Sequence, residues 1–143
     1  MNIIRHCFTT RYGRPIVLPL VTLLAFTPNL LKADGPDGES IYTQNCAACH
    51  KPDGAGVQGA YPALMGSPVV AGDADTVINV VVQGPAKVLP ADRPKYTGQM
   101  PPFAGLSDAK IAALVTYIRN NFGKGATAVS EDQVTKVKAS LPH

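Results

Sequence analysis

The 143-residue sequence predicts an all-α domain. Three observations carry that expectation. Ile111, Leu114, Val115, Ile118 and Phe122 recur at helical spacing. No stretch alternates apolar and polar residues as a half-buried strand does. Between the periodic stretches the chain is long, irregular and rich in breakers, with 13 glycines and 13 prolines. Loops of that length in a compact domain need something to organise them.

Residues 1–33 read as a targeting segment. Arg5, Arg11 and Arg14 precede an apolar run from Ile16 to Phe26, and polar sequence begins at Lys32-Ala33-Asp34. A basic start, a short apolar run and a small residue before the polar chain are the marks of a secretory signal peptide. The run is short for a membrane span and carries Pro19. An uncleaved anchor is the alternative, because Leu31 stands where the cleavage pattern has a small residue. Export would change the composition. The whole chain has a net charge of +3, but residues 34–143 hold nine basic and ten acidic side chains. Neither balance suits a nucleic-acid partner. Cys7 leaves with the leader, and Cys46 and Cys49 remain.

The working domain is expected at 34–143, with a core over about 35–123. A helix starts near Gly38 and carries Ile41 and Tyr42 towards Cys46. Residues 51–67 hold Gly54, Gly56, Gly59, Gly66, Pro52 and Pro62 and read as loop. Asp73 to Asp75 cap a second helix over 76–83 that Gly84 stops. Its β-branched run Val80-Val81-Val82 keeps a strand as the competing assignment. Residues 85–105 contain five prolines and are expected to form no regular element. Ser107 caps the clearest helix, 108–122, and Gly123 ends it. Ser130 and Gln133 have capping-box spacing before a short helix over about 130–140 that carries Val134, Val137 and Leu141 on one face.

The chemistry lies in Cys46-Ala47-Ala48-Cys49-His50, the C-x-x-C-H arrangement of c-type haem attachment. Two thiols must reach two vinyl groups on one porphyrin, and the adjacent imidazole must reach its iron. Two residues between the cysteines, on a helical turn, place all three on one side. A zinc site would need a fourth ligand, and the other histidine of residues 34–143 is His143 at the end of the sequence. A thioredoxin-like motif would need a βαβ context. A disulfide between the pair would leave His50 unexplained.

With these residues the chain resembles the class I c-type cytochromes over about 35–123. Gly38 and Tyr42 stand eight and four residues before Cys46, where the family has a small residue and an aromatic. Leu114 and Tyr117 match their partners on the last helix. The resemblance implies a cytochrome c fold: small helices and long loops around one covalent haem. It implies that the carbonyl of Pro62, in Tyr61-Pro62-Ala63-Leu64, accepts the Nδ1 proton of His50. It implies that Met100, in Gln99-Met100-Pro101-Pro102, is the second axial ligand beside His50. Tyr96 is implied as a haem propionate contact, with a packing role as the alternative. Met65 is expected in the core. Lys87, Arg93 and Lys95 read as a solvated loop, or else as a patch steering an acidic partner.

A haem iron with His50 and Met100 bound has no open position, so the resemblance implies electron transfer and no catalytic residue. Asn45 to His50, Tyr61 to Leu64, Tyr96 to Pro101 and Leu106 to Ala109 are similar to a narrower group. That group comprises haem-c subunits and domains of periplasmic dehydrogenases and haem-fused copper nitrite reductases. The expected protein is a periplasmic mono-haem carrier between an oxidoreductase and a respiratory-chain partner. It would dock its redox partners transiently at the haem edge. An obligate subunit of such a complex, or a haem sensor with a labile Met100, are the alternatives.

Overall fold

In the computed structural model, residues 35–125 and 127–142 are described. The expected leader, 1–33, and His143 lie outside them. Among the described residues seven helices follow one another: α1 Gly38–Asn45, α2 Ala47–His50, α3 Pro68–Ala71, α4 Ala74–Gln83, α5 Pro85–Val88, α6 Asp108–Phe122 and α7 Glu131–Ala139. Among the described residues there is no strand, and Val57 and Tyr61 make one isolated antiparallel bridge. The domain is all-α, as the sequence predicts.

The frame is the crossing of α1 on α6. Asp37 starts α1 by accepting the Glu39 amide at 3.1 Å. Gly38, the first residue of α1, lies against the backbone of Ala113 on α6, and a Cβ there would sit 2.9 Å from Tyr117 Cβ. The two backbones touch because nothing stands between them. One turn on, Tyr42 is 1% exposed. Its ring packs tilted on Tyr117 and Phe122, with centroids 5.4 and 5.3 Å away. Its hydroxyl donates to the carbonyl of Lys51 at 2.6 Å, and burial holds that hydroxyl well above the ordinary tyrosine pKa.

The β-branched run folds as helix α4. Asp73 Oδ2 accepts the Thr76 amide at 2.9 Å, and Gly84, at φ +82°, stops the helix. Val77, Ile78, Val81 and Val82 are buried, the i, i+1, i+4, i+5 stripe of a helix and not the alternation of a strand. Burial of one face overrides the strand preference of valine.

Two short helices were not expected. Pro85 opens α5 inside the stretch expected to hold no regular element, and Pro68 opens α3. Proline is tolerated at the first helical position, where its missing N–H has no partner to lose.

Helix α7 packs on α4 and α6 through Val134 and Val137. Ser130 caps it by accepting the Gln133 amide at 3.2 Å. The reciprocal half of the capping box is absent: Gln133 Nε2 donates to Asp75 Oδ1 on α4, at 2.7 Å. Leu141 packs on the core from beyond the end of the helix. Lys138 holds α7 to the start of α6 through Asp108, at 2.7 Å.

Candidate haem site

A cavity of about 480 Å³ opens between α2, α4, α6 and the two long loops. Cys46, Cys49 and His50 line it, as do Pro62, Tyr96 and Met100. Every predicted site residue therefore faces one space. Val77, Val81, Leu114 and Ile118 supply much of its apolar wall. The lining fits the usual make-up of a small-molecule site, mostly apolar with a few polar groups.

Local folding sets the attachment wall. Cys46 ends α1 and begins α2. The amides of Cys49 and His50 donate to its carbonyl at 3.1 and 2.9 Å, which closes one helical turn. That turn brings both thiols and the imidazole to the same cavity. The cysteines are not bonded to one another. Burial first, then the neighbouring Cys49, pushes the Cys46 thiol up to about 11. Zinc needs thiolates. Among the described residues no three His, Cys, Asp or Glu side chains are placed to hold a metal. The turn thus presents two thiols and an imidazole to one mostly apolar cavity.

His50 is buried, and its Nδ1 lies 3.0 Å from the carbonyl oxygen of Pro62. A proton on Nδ1 donating to that carbonyl leaves the Nε2 lone pair for a metal. Gly56 permits the contact. It adopts φ +66°, and a Cβ there would meet the Pro62 carbonyl oxygen at 2.6 Å. Its amide donates to the His50 carbonyl at 2.9 Å. In the sequence Gly56 shows only as a loop breaker. A glycine between the motif and Pro62 was the available signal, but spacing alone does not say which loop glycine meets which carbonyl.

The segment bearing Met100 is tied back to the segment bearing Pro62. The amides of Thr97 and Gly98 donate to the carbonyls of Gly59 and Ala60, at 3.0 and 2.9 Å. The Tyr61 ring lies close against Gly98, where a side chain would collide with it. Beyond Met100, the Phe103 amide donates to the Val81 carbonyl on α4 at 2.9 Å. Met100 is half-buried against the core. Met65, expected in the core, is 57% exposed. It follows Leu64 at a turn whose backbone is held by Gly54, which leaves its side chain outside. Arg93 and Lys95 reach the cavity lining, and Lys87 joins Arg93 on an adjoining hollow.

Residues 33–118 match the family described as cytochrome C oxidase, cbb3-type, subunit III. The chain belongs to the class I c-type cytochromes. It is 35% identical over 112 residues to cytochrome c-552 of Thermus thermophilus, covering 72% of this chain and 85% of that protein. It is 34% identical over 108 residues to the cytochrome c subunit of the quinone alcohol dehydrogenase of Gluconobacter oxydans. There the match takes in 74% of this chain and 23% of the relative. The gluconate 2-dehydrogenase cytochrome c subunit of Pantoea cypripedii is 36% identical over 99 residues, across 66% of this chain and 22% of its own. The chain thus spans under a quarter of each of these two dehydrogenase subunits. The cytochrome carries covalent haem c with its iron and transfers electrons.

Proposed function

We propose that the cytochrome holds one haem by thioethers to Cys46 and Cys49, with His50 and Met100 as its axial ligands. The observation that carries this reading is the cavity that all four side chains line. Bound haem supplies a one-electron ferrous–ferric couple, and the protein sets its access and electrostatics. Pro62 fixes the His50 ring through the 3.0 Å contact at Nδ1. Met100 closes the face that oxygen would otherwise reach. Tyr96 lines the cavity and is 40% exposed, and it is the residue we assign to a propionate.

The protein is read as an exported, periplasmic carrier. Residues 1–33 have the composition of a cleaved leader. Among the described residues no helix is long and apolar enough to cross a membrane. Its electrons pass between a periplasmic oxidoreductase and a respiratory-chain partner. Partners dock transiently where the haem edge meets solvent. Tyr96, an exposed large apolar side chain that lines the cavity, supports a small apolar contact there. A second reading is favoured by the printed names of the dehydrogenase relatives: a fixed subunit of such a complex.

Optical spectra of the exported protein, oxidised and reduced, with and without CO, test the site. The expected result is a haem c spectrum with an iron–sulfur charge-transfer band when oxidised, and no CO binding when reduced at neutral pH. Rapid CO binding would reject Met100 ligation. Co-purification in fixed ratio with a dehydrogenase would replace the free carrier by the subunit.

A further inference from the structure

Arg119 of α6 is 5% exposed, a cation in the interior. One terminal nitrogen, Nη1, donates to the carbonyls of Val70 and Gly72, at 3.2 and 2.7 Å. Its Nε is buried with no acceptor. Among the described residues the ion pair within 4 Å is Lys138 with Asp108, so no carboxylate closes on Arg119. The acid that senses it is Asp73, whose carboxylate is spent on capping α4. Asp73 is held below the ordinary carboxylate range by the Thr76 amide first, and least by Arg119. A guanidinium keeps its charge over the pH range a protein survives. A buried charge without a partner is costly, and a tie between α3 and α6 does not require one.

The place of this charge matters. Val70 and Ile118 line the haem cavity, and Arg119 is bonded to the first and next in sequence to the second. The guanidinium thus holds the main chain of a residue whose side chain lines the cavity. Oxidation of the iron sends one electron to the partner and leaves one more positive charge in the cavity. A fixed cation bonded to a wall residue opposes that gain, and the low dielectric strengthens the opposition.

We propose that Arg119 is a buried electrostatic determinant that raises the reduction potential of the haem and so selects which redox partners the cytochrome can oxidise. This rests on the haem filling the cavity described above. Arg119 touches no ligand. It is a positioning residue that acts through space.

The test is potentiometric titration of the haem-loaded protein and of Arg119→Gln, Arg119→Met and Arg119→Lys. Both neutral variants are expected to favour the ferric state by about tenfold at fixed poise, ~59 mV for one electron. Arg119→Lys should stay near the parent. The shift should persist at high salt, because buried charges are screened little. A neutral variant that keeps the parent's potential overturns the proposal. So does a lysine variant that falls as far as the glutamine variant, since loss of the tie would then be the cause. Two neutral side chains of different shape are used so that a folding defect in one leaves the other to decide. The iron–sulfur band is read in every variant. Its absence in the parent would reject the ligand assignment, whereas its presence with an unmoved potential rejects the role of Arg119.

Discussion

Substituting Gly56 by alanine should separate backbone strain from close approach, because Gly59 supplies an internal control. Both glycines have left-handed backbones, at φ +66° and +73°. At Gly59 nothing lies within 4 Å of an added Cβ. At Gly56 the same atom meets the Tyr61 oxygen at 2.5 Å and the Pro62 carbonyl oxygen at 2.6 Å, both main-chain atoms that cannot swing aside. Each alanine therefore bears the left-handed cost of about 1–2 kcal/mol. Gly56→Ala adds an overpacking cost of about 1–3 kcal/mol. It also weakens the bond between Pro62 and His50, worth about 0.5–1.5 kcal/mol net. The expected gap between the variants is about 1.5–4.5 kcal/mol. In a domain of this size that is roughly 10–20 °C of melting temperature. Thermal unfolding of the haem-loaded proteins, followed by circular dichroism, reads it. Potentiometry gives a second readout: a weakened Nδ1 bond makes His50 a poorer donor to ferric iron, so Gly56→Ala should raise the potential and Gly59→Ala should not. Equal melting temperatures for the two variants would refute the close approach. An unmoved potential in Gly56→Ala would separate Pro62 from the iron.

Three further outcomes are expected. Met100→Ala should lose the iron–sulfur band and bind CO when reduced, with a lower potential; an intact band would place the ligand elsewhere. Gly38→Ala should cost about 1–3 kcal/mol despite alanine's better helix propensity, because the new methyl must part α1 from the Ala113 backbone; a melting temperature at or above the parent's would count against the crossing. Asp108 is held below its ordinary value of 3.8, first by the Lys138 hydrogen bond and then by Thr135. Its stabilising contribution is present above 3.8 and disappears as pH falls through the lower folded value. Acid unfolding of Asp108→Asn should accordingly depend less steeply on pH below 3.8 than that of the parent, and identical profiles would contradict the linkage.

What was legible in the sequence follows from the range of the signals. The helix at 108–122 and its cap lie within one stretch of chain, so periodicity and Ser107 suffice to place them. Attachment chemistry was legible because five adjacent residues carry it. Helix α4 was ambiguous because valine favours strands, and the facing helices that decide the matter are distant in sequence. The short helices α3 and α5 were missed because proline was read as a breaker, although it opens both. Met65 was misplaced by composition: methionine is usually core, but the turn after Leu64 directs it outward. Gly98, Gly56 and Arg119 gave no sign of their partners, since each meets a segment that only the folded chain brings near.

The two amide bonds from Thr97 and Gly98 to Gly59 and Ala60 act as a clasp. They close the intervening chain, with α3, α4 and α5, into a ring pinned at its base. The spacing between the Pro62 and Met100 segments is thereby held by main-chain hydrogen bonds a few residues away, together with the Phe103 amide's bond to Val81 on α4. Length added within the ring, as at the exposed turn near Asp92, would reshape the cavity rim where Arg93 and Lys95 lie while the clasp stayed closed. A chain built this way can vary the mouth of its cavity while both ends of the ring stay joined.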